Sequence, residues 1–122
     1  MDSLDFQMIA NLVLPFPPSV NGLYGGGSRQ KRFPSKKYKQ WLASCPELPD
    51  YSWYPVRITY SFYFPDNRER DTENYVKAVS DYLVKQGTIK DDNWRIITSM
   101  LLLPMGIDRK NPRVEIRIEK HD

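Results

Sequence analysis

The sequence has one cysteine, one histidine and only six glycines in 122 residues, and each scarcity removes a class of chemistry. With Cys45 alone, neither an intrachain disulfide framework nor a cysteine-rich zinc site can form, and a reducing cytoplasm is the expected setting. His121 lies in the tail, so a Ser-His-Asp or histidine-zinc mechanism has no material to work with. Gly25-Gly26-Gly27-Ser28 lacks the second glycine before a lysine that a P-loop needs, so no nucleotide cofactor is expected. The stretch Met1 to Leu14 lacks a basic n-region and contains Asp2, Asp5, Gln7 and Asn11, unlike a signal peptide or a membrane span. A soluble intracellular protein without a membrane partner is expected.

What is present suits a single domain over residues 1–122. With 40% hydrophobic and 13% aromatic residues, the chain can close one core and has little left for a second. The net charge of +3 hides a local excess. Arg29, Lys31, Arg32, Lys36, Lys37 and Lys39 lie in one acid-free run, and without these six the chain has 12 basic against 15 acidic residues. A basic loop near an acidic pocket is the charge arrangement of an enzyme that grips a phosphate backbone and cuts it, although a solvated charged loop has the same composition.

Residues 6–14 are largely apolar and end at Pro15-Phe16-Pro17-Pro18, as a strand stopped by prolines would. Ser35 is placed to cap a short helix running to about Ser44, with Tyr38, Trp41 and Leu42 at helical spacing and Pro46 beyond it. Val56 to Phe64 alternates apolar and polar residues and predicts a strand closed by Pro65. Val76, Val79 and Leu83 recur at helical spacing after a cap at Asp71 or Thr72, and Gly87 is placed to end that helix. Arg95 to Leu103, closed by Pro104, and Arg113 to Glu119 read as two more strands. The expected class is α+β, a small mixed sheet with two helices in the order β-α-β-α-β-β.

Asp71, Glu73, Asp91 and Asp92, with Lys77, gather at the two ends of the second helix. Carboxylates held together repel one another unless a divalent cation neutralises them, and hard oxygen ligands suit Mg²⁺, or Mn²⁺ in its place. Blander uses exist for each: Asp71 as a helix cap, Glu73 with Lys77 as a surface ion pair, Asp91-Asp92 as a polar turn. Geometry raises a question, because about 15 helical residues span roughly 22 Å. Asp71 and Asp92 therefore meet only if the chain after Gly87 folds back, or if the site is assembled across two chains.

Leu14-Pro15-Phe16-Pro17-Pro18-Ser19-Val20-Asn21, then Arg70-Asp71-Thr72-Glu73-Asn74 with Lys77 and Asp81, then Gly87 with Asp91-Asp92, resemble the RusA-type Holliday-junction resolvases of bacteria and their prophages. The similarity runs from about Leu12 to Glu119. It centres on the pattern Arg-Asp-x-Asp-Asn-x-x-Lys followed by an Asp-Asp pair, and this chain departs from it by carrying Glu73 in place of an aspartate. The resemblance implies a homodimeric α/β endonuclease that binds four-way DNA junctions and makes paired, Mg²⁺-dependent nicks. By position it implies metal-binding carboxylates at Asp71, Glu73 and Asp92 and a catalytic Lys77. Arg68 and Arg70 beside that site, with Arg29, Lys31, Arg32, Lys36 and Lys37, are the candidate DNA contacts. The competing reading is a protein that binds branched or single-stranded nucleic acid without cutting it, stacking bases on Tyr24, Tyr38 and Trp41.

Overall fold

A computed structural model of the chain describes residues 6–25 and 33–121. A four-stranded mixed sheet carries two helices on one face. Its strands are β1 (Phe6–Pro15), β4 (Val56–Phe64), β5 (Ile97–Ile107) and β6 (Arg113–His121). They lie in the order β1-β6-β4-β5, with β4 and β5 parallel and the other pairs antiparallel. A small hairpin, β2 (Tyr24–Gly25) with β3 (Phe33–Pro34), precedes helix α1 (Lys36–Ser44), and helix α2 (Val76–Lys85) makes the crossover from β4 to β5. The expected order of strands and helices is observed, with the hairpin and two 3₁₀ turns, Val20–Gly22 and Thr72–Tyr75, added to it.

Alternation along β4 sets the two faces. Val56, Ile58, Tyr60 and Phe62 are fully buried and meet Val114, Ile116 and Ile118 of β6 beneath the helices. Tyr38 and Trp41 of α1 and Val79, Tyr82 and Leu83 of α2 close this core from above. The opposite face keeps its charges by pairing them across strands: Arg57 of β4 grips Glu119 of β6 through two hydrogen bonds of 3.1 and 3.0 Å. That grip holds the Glu119 carboxyl below its ordinary range. The core tyrosine Tyr60 is partnered too, by the Ser80 hydroxyl at 2.8 Å, so its burial leaves no orphaned polar atom.

Both helices end where local chemistry dictates. Ser35 accepts the Tyr38 amide at 3.1 Å as the α1 N-cap, and Trp41 Nε1 donates to the Pro15 carbonyl at 2.9 Å, fastening α1 to the end of β1. At the far end of α2 the Gly87 amide bonds Val84 O and the Thr88 amide bonds Leu83 O, both at 3.0 Å. This is a Schellman closure with Gly87 in the left-handed region at φ 77°. A side chain at Gly87 would also collide with the Asp50 carboxylate.

Two expected boundaries are corrected. The second helix is ten residues long, about 15 Å, because the Tyr75 backbone (φ −107°, ψ 0°) breaks the helix from the preceding 3₁₀ turn while its ring packs on Phe16. Pro104 does not close the penultimate strand, which runs on to Ile107. β5 is a sheet edge, where a missing amide proton breaks no ladder, and the pairing register slips just past Pro104.

Candidate active site

The loop between β4 and α2 is built around an ion pair that the sequence reading did not single out. Arg70 donates to both oxygens of Asp66, at 2.8 and 3.1 Å, and the Arg68 amide adds a bond of 2.9 Å to the same carboxylate. The Arg70 guanidinium, with that amide, holds the Asp66 carboxyl far below its ordinary range. Arg70 is only 6% exposed and stacks over Phe16, whose ring also meets Phe64 and Tyr75 at centroid distances of 5.5 and 5.0 Å. Arg70 therefore acts as a strut in the cleft wall, with little exposed surface left for the DNA contact its position suggested. The spacing Asp66 to Arg70 was the available signal.

This strut places Asp71 in a cleft of about 1100 Å³ that is also lined by Asn21, Lys37, Asp66 and Asn74. Asp71 occupies the cap position of the 3₁₀ turn, but its carboxylate makes no capping hydrogen bond, so the capping alternative does not account for it. Glu73 is exposed in the same turn.

Lys77 stands in the first turn of α2 and bonds Asp81 at 3.0 Å, so the ion pair on this helix is with Asp81 and not with Glu73. Its ammonium is held above its ordinary range first by Asp81 and then, after burial works against it, by the charge of Asp92. The same Asp92 charge acts on Tyr60. The charge of Asp92 is thus felt at Lys77 within one chain. The chain folds back after Gly87, burying Thr88 and Ile89 and pairing Ile89 with Trp53. The turn that carries Asp92 is held by its own groups: Asp91 Oδ1 accepts the Asp92 amide at 2.8 Å and Asn93 Oδ1 accepts the Arg95 amide at 2.9 Å.

Among the described residues no three acidic side chains converge closely enough to hold a metal ion. The donors nevertheless have the right chemistry for a hard cation, since Mg²⁺ is commonly held by one or two carboxylates with water and substrate phosphate completing its shell. Cys45 offers no competing nucleophile, because burial pushes its thiol up to about 12.

Of the candidate DNA contacts, Arg29, Lys31 and Arg32 lie outside the described residues. Lys36 and Lys37 are exposed in the first turn of α1, which contains no acidic residue. Two cations at the positive end of a helix cost about 0.3–1 kcal/mol each, a cost that a phosphate partner would reverse. Arg68 is 74% exposed and its Nε lies 4.0 Å from Asp66, so it can turn outward. Tyr38 and Trp41, offered as stacking surfaces, are each only 6% exposed and belong to the core. Tyr24 remains at the surface, edge-on to Tyr38.

A sequence model described as Endodeoxyribonuclease RusA matches residues 15–119, spanning the proline motif, the clamped loop, α2 and the Asp91-Asp92 turn. The chain belongs to this family. Against the crossover junction endodeoxyribonuclease RusA of Escherichia coli (strain K12) it is 29% identical over 113 residues, 88% of this chain and 92% of that one. The crossover junction endodeoxyribonuclease of Enterobacteria phage HK97 is 32% identical over 85 residues, 66% of this chain and 71% of the phage protein. No helix is long and apolar enough to cross a membrane among the described residues.

Proposed function

We propose that this RusA-family chain is a Mg²⁺-dependent endodeoxyribonuclease that resolves four-way DNA junctions as a cytoplasmic homodimer. The observation that carries the reading is the family match over residues 15–119. It is supported by the placing of Asp71 in a cleft with Asn21, Lys37 and Asn74 and by the charge of Asp92 acting on Lys77. Asp71, Glu73 and Asp92 would hold the metal, with Mn²⁺ an alternative occupant. When bound, such an ion lowers the pKa of water for in-line attack on a phosphodiester and offsets charge on the leaving oxygen. Lys77, kept as an ammonium by Asp81 and Asp92, opposes the charge that builds on the phosphoryl oxygens. A raised pKa suits that electrostatic role and disfavours proton removal by Lys77. Lys36, Lys37 and Arg68 follow the phosphate backbone, with Arg29, Lys31 and Arg32 extending the same charge run.

The dimer follows from substrate symmetry. A four-way junction has near two-fold symmetry, and paired nicks need two equivalent sites, which a two-fold homodimer supplies. The surface offered for it is the open edge at β5, an eleven-residue strand without a charged side chain that exposes Met100, Leu101, Met105 and Ile107. Unpaired, uncharged edges are rarely left bare. Incubation with an end-labelled four-way junction, with and without Mg²⁺, tests the reading, together with light scattering of the free protein. Paired nicks only with metal, from a protein of dimer mass, are expected. Binding without cutting would instead favour the non-catalytic nucleic-acid binder, and a monomer that still cuts in pairs would remove the constitutive dimer.

A further inference from the structure

The turn carrying Asp92 also presents Trp94, which is 75% exposed and the most exposed large hydrophobic side chain among the described residues. Burial is where a tryptophan normally goes, and a bare one calls for a partner. Its neighbours Lys90, Asp91, Asp92, Asn93 and Arg95 are all exposed and polar. Among the described residues, its neighbours in the turn offer no apolar patch of the kind that docks another protein. The ring is instead framed by charge: the Arg95 guanidinium lies 4.8 Å from its centroid, and Asn93 accepts the Arg95 amide and, through its carbonyl, the amides of Ile96 and Ile97 at 3.0 and 2.9 Å. At the other end of the turn Lys90 Nζ lies 4.3 Å over the ring of Tyr54, itself half exposed. An acidic turn is thus flanked by two aromatic rings, each paired with a cation.

We infer that Trp94 is a base-stacking contact that recognises nucleobases left unstacked at the branch point, with Arg95 securing the ring and gripping the adjoining phosphate. The inference rests on the junction-cutting reading and deepens it. Duplex bases are already stacked on both faces and offer a ring no surface, whereas a branch point opens base faces that an indole can cover. A cation beside each ring supplies the sequence-independent backbone contact. Placed two residues after Asp92, Trp94 would couple choice of substrate to the position of the carboxylate.

The test measures affinities without divalent metal, for parent, Trp94→Ala and Trp94→Phe, on a labelled four-way junction, a matched duplex and a single strand of the same sequence. Trp94→Ala is expected to weaken junction and single-strand binding about tenfold or more, as loss of one base-aromatic stack does. Duplex binding should change by less than about twofold, and Trp94→Phe should restore most of the loss. Equal weakening on all three substrates, no weakening on the junction, or a fall from dimer to monomer mass in Trp94→Ala would overturn the inference. If the parent itself binds junctions no better than duplex, the resolvase reading fails independently. The single strand then decides the stacking contact, which is upheld by a tenfold loss in Trp94→Ala and overturned without one.

Discussion

The two loops that flank α2 each deliver a carboxylate, and they are built in opposite ways. The loop before α2 is tied to the body of the protein: Arg70 is buried against Asp66 and Phe16, and Phe16 packs on Phe62, Phe64 and Tyr75. The turn after it, residues 90–95, is exposed throughout and held mainly by hydrogen bonds among its own residues. Rigid loops with long-range contacts preorganise a group before substrate arrives, while turns with few buried contacts open at low cost. Asp71 is thus expected to be fixed in the free protein, and Asp92 to be drawn into its working position with metal and DNA.

The difference can be broken most severely at the carboxylates themselves. Asp71→Asn and Asp92→Asn should each lower junction cleavage by a factor of about a hundred or more while leaving junction binding intact or slightly tighter, since each removes a donor and a negative charge facing DNA. Gel assays of binding and cutting on the same samples check this. Loss of binding in step with cutting would make the residues structural.

Next in size is the strut. Arg70→Met should lower the thermal midpoint by several degrees and cleavage by about tenfold, because it leaves Asp66 without its partner and lets the cleft wall move. Asn93→Ala, which removes a local bond from the other turn, should barely move the midpoint. Equal thermal losses would erase the distinction between the loops. Glu73→Asp, restoring the family residue, should change cleavage by only a few-fold, and upward, if one methylene is all that separates the two.

The smallest effect is on acid stability. The Asp66 carboxyl is held below its unfolded value by Arg70, so it binds protons less readily when folded. The stabilisation this gives is fully present above about pH 4, the unfolded value, and is lost progressively as the pH falls toward the lower folded one. Exposure of 42% of the Asp66 side chain limits its size. Thermal melts from neutral pH to about pH 2.5 should show parent and Arg70→Met converging in acid. Parallel curves would deny the pair any part in stability.

The sequence is legible where one local rule acts alone. β4 was readable to its last residue because strict alternation has one interpretation, and α1 because Ser35 caps a run with apolar helical spacing. Pro104 misled because a proline ends a central strand but is tolerated on an edge, and edge status is a property of the sheet. Arg70 misled for a similar reason: an arginine among acids looks like surface charge until the aromatic floor beneath it is seen. Asp71, Lys77 and Asp92 stood out as a spaced set, but that the charge of Asp92 acts on Lys77 within one chain depended on the turn at Gly87 and the buried return through Ile89. Trp94 stood in an otherwise ordinary run, and nothing in its spacing announced that it would be left outside.

One carboxylate from each loop, Asp71 and Asp92, is expected to serve the same cation. Equilibrium Mn²⁺ binding, read as loss of the free-ion electron paramagnetic resonance signal, tests it most directly in parent, Asp71→Asn, Asp92→Asn and Asp81→Asn. Either of the first two substitutions is expected to weaken binding about tenfold or more, while Asp81→Asn, which removes only the partner of Lys77, should leave it near that of the parent. Parent-like Mn²⁺ affinity in Asp71→Asn or in Asp92→Asn would contradict it.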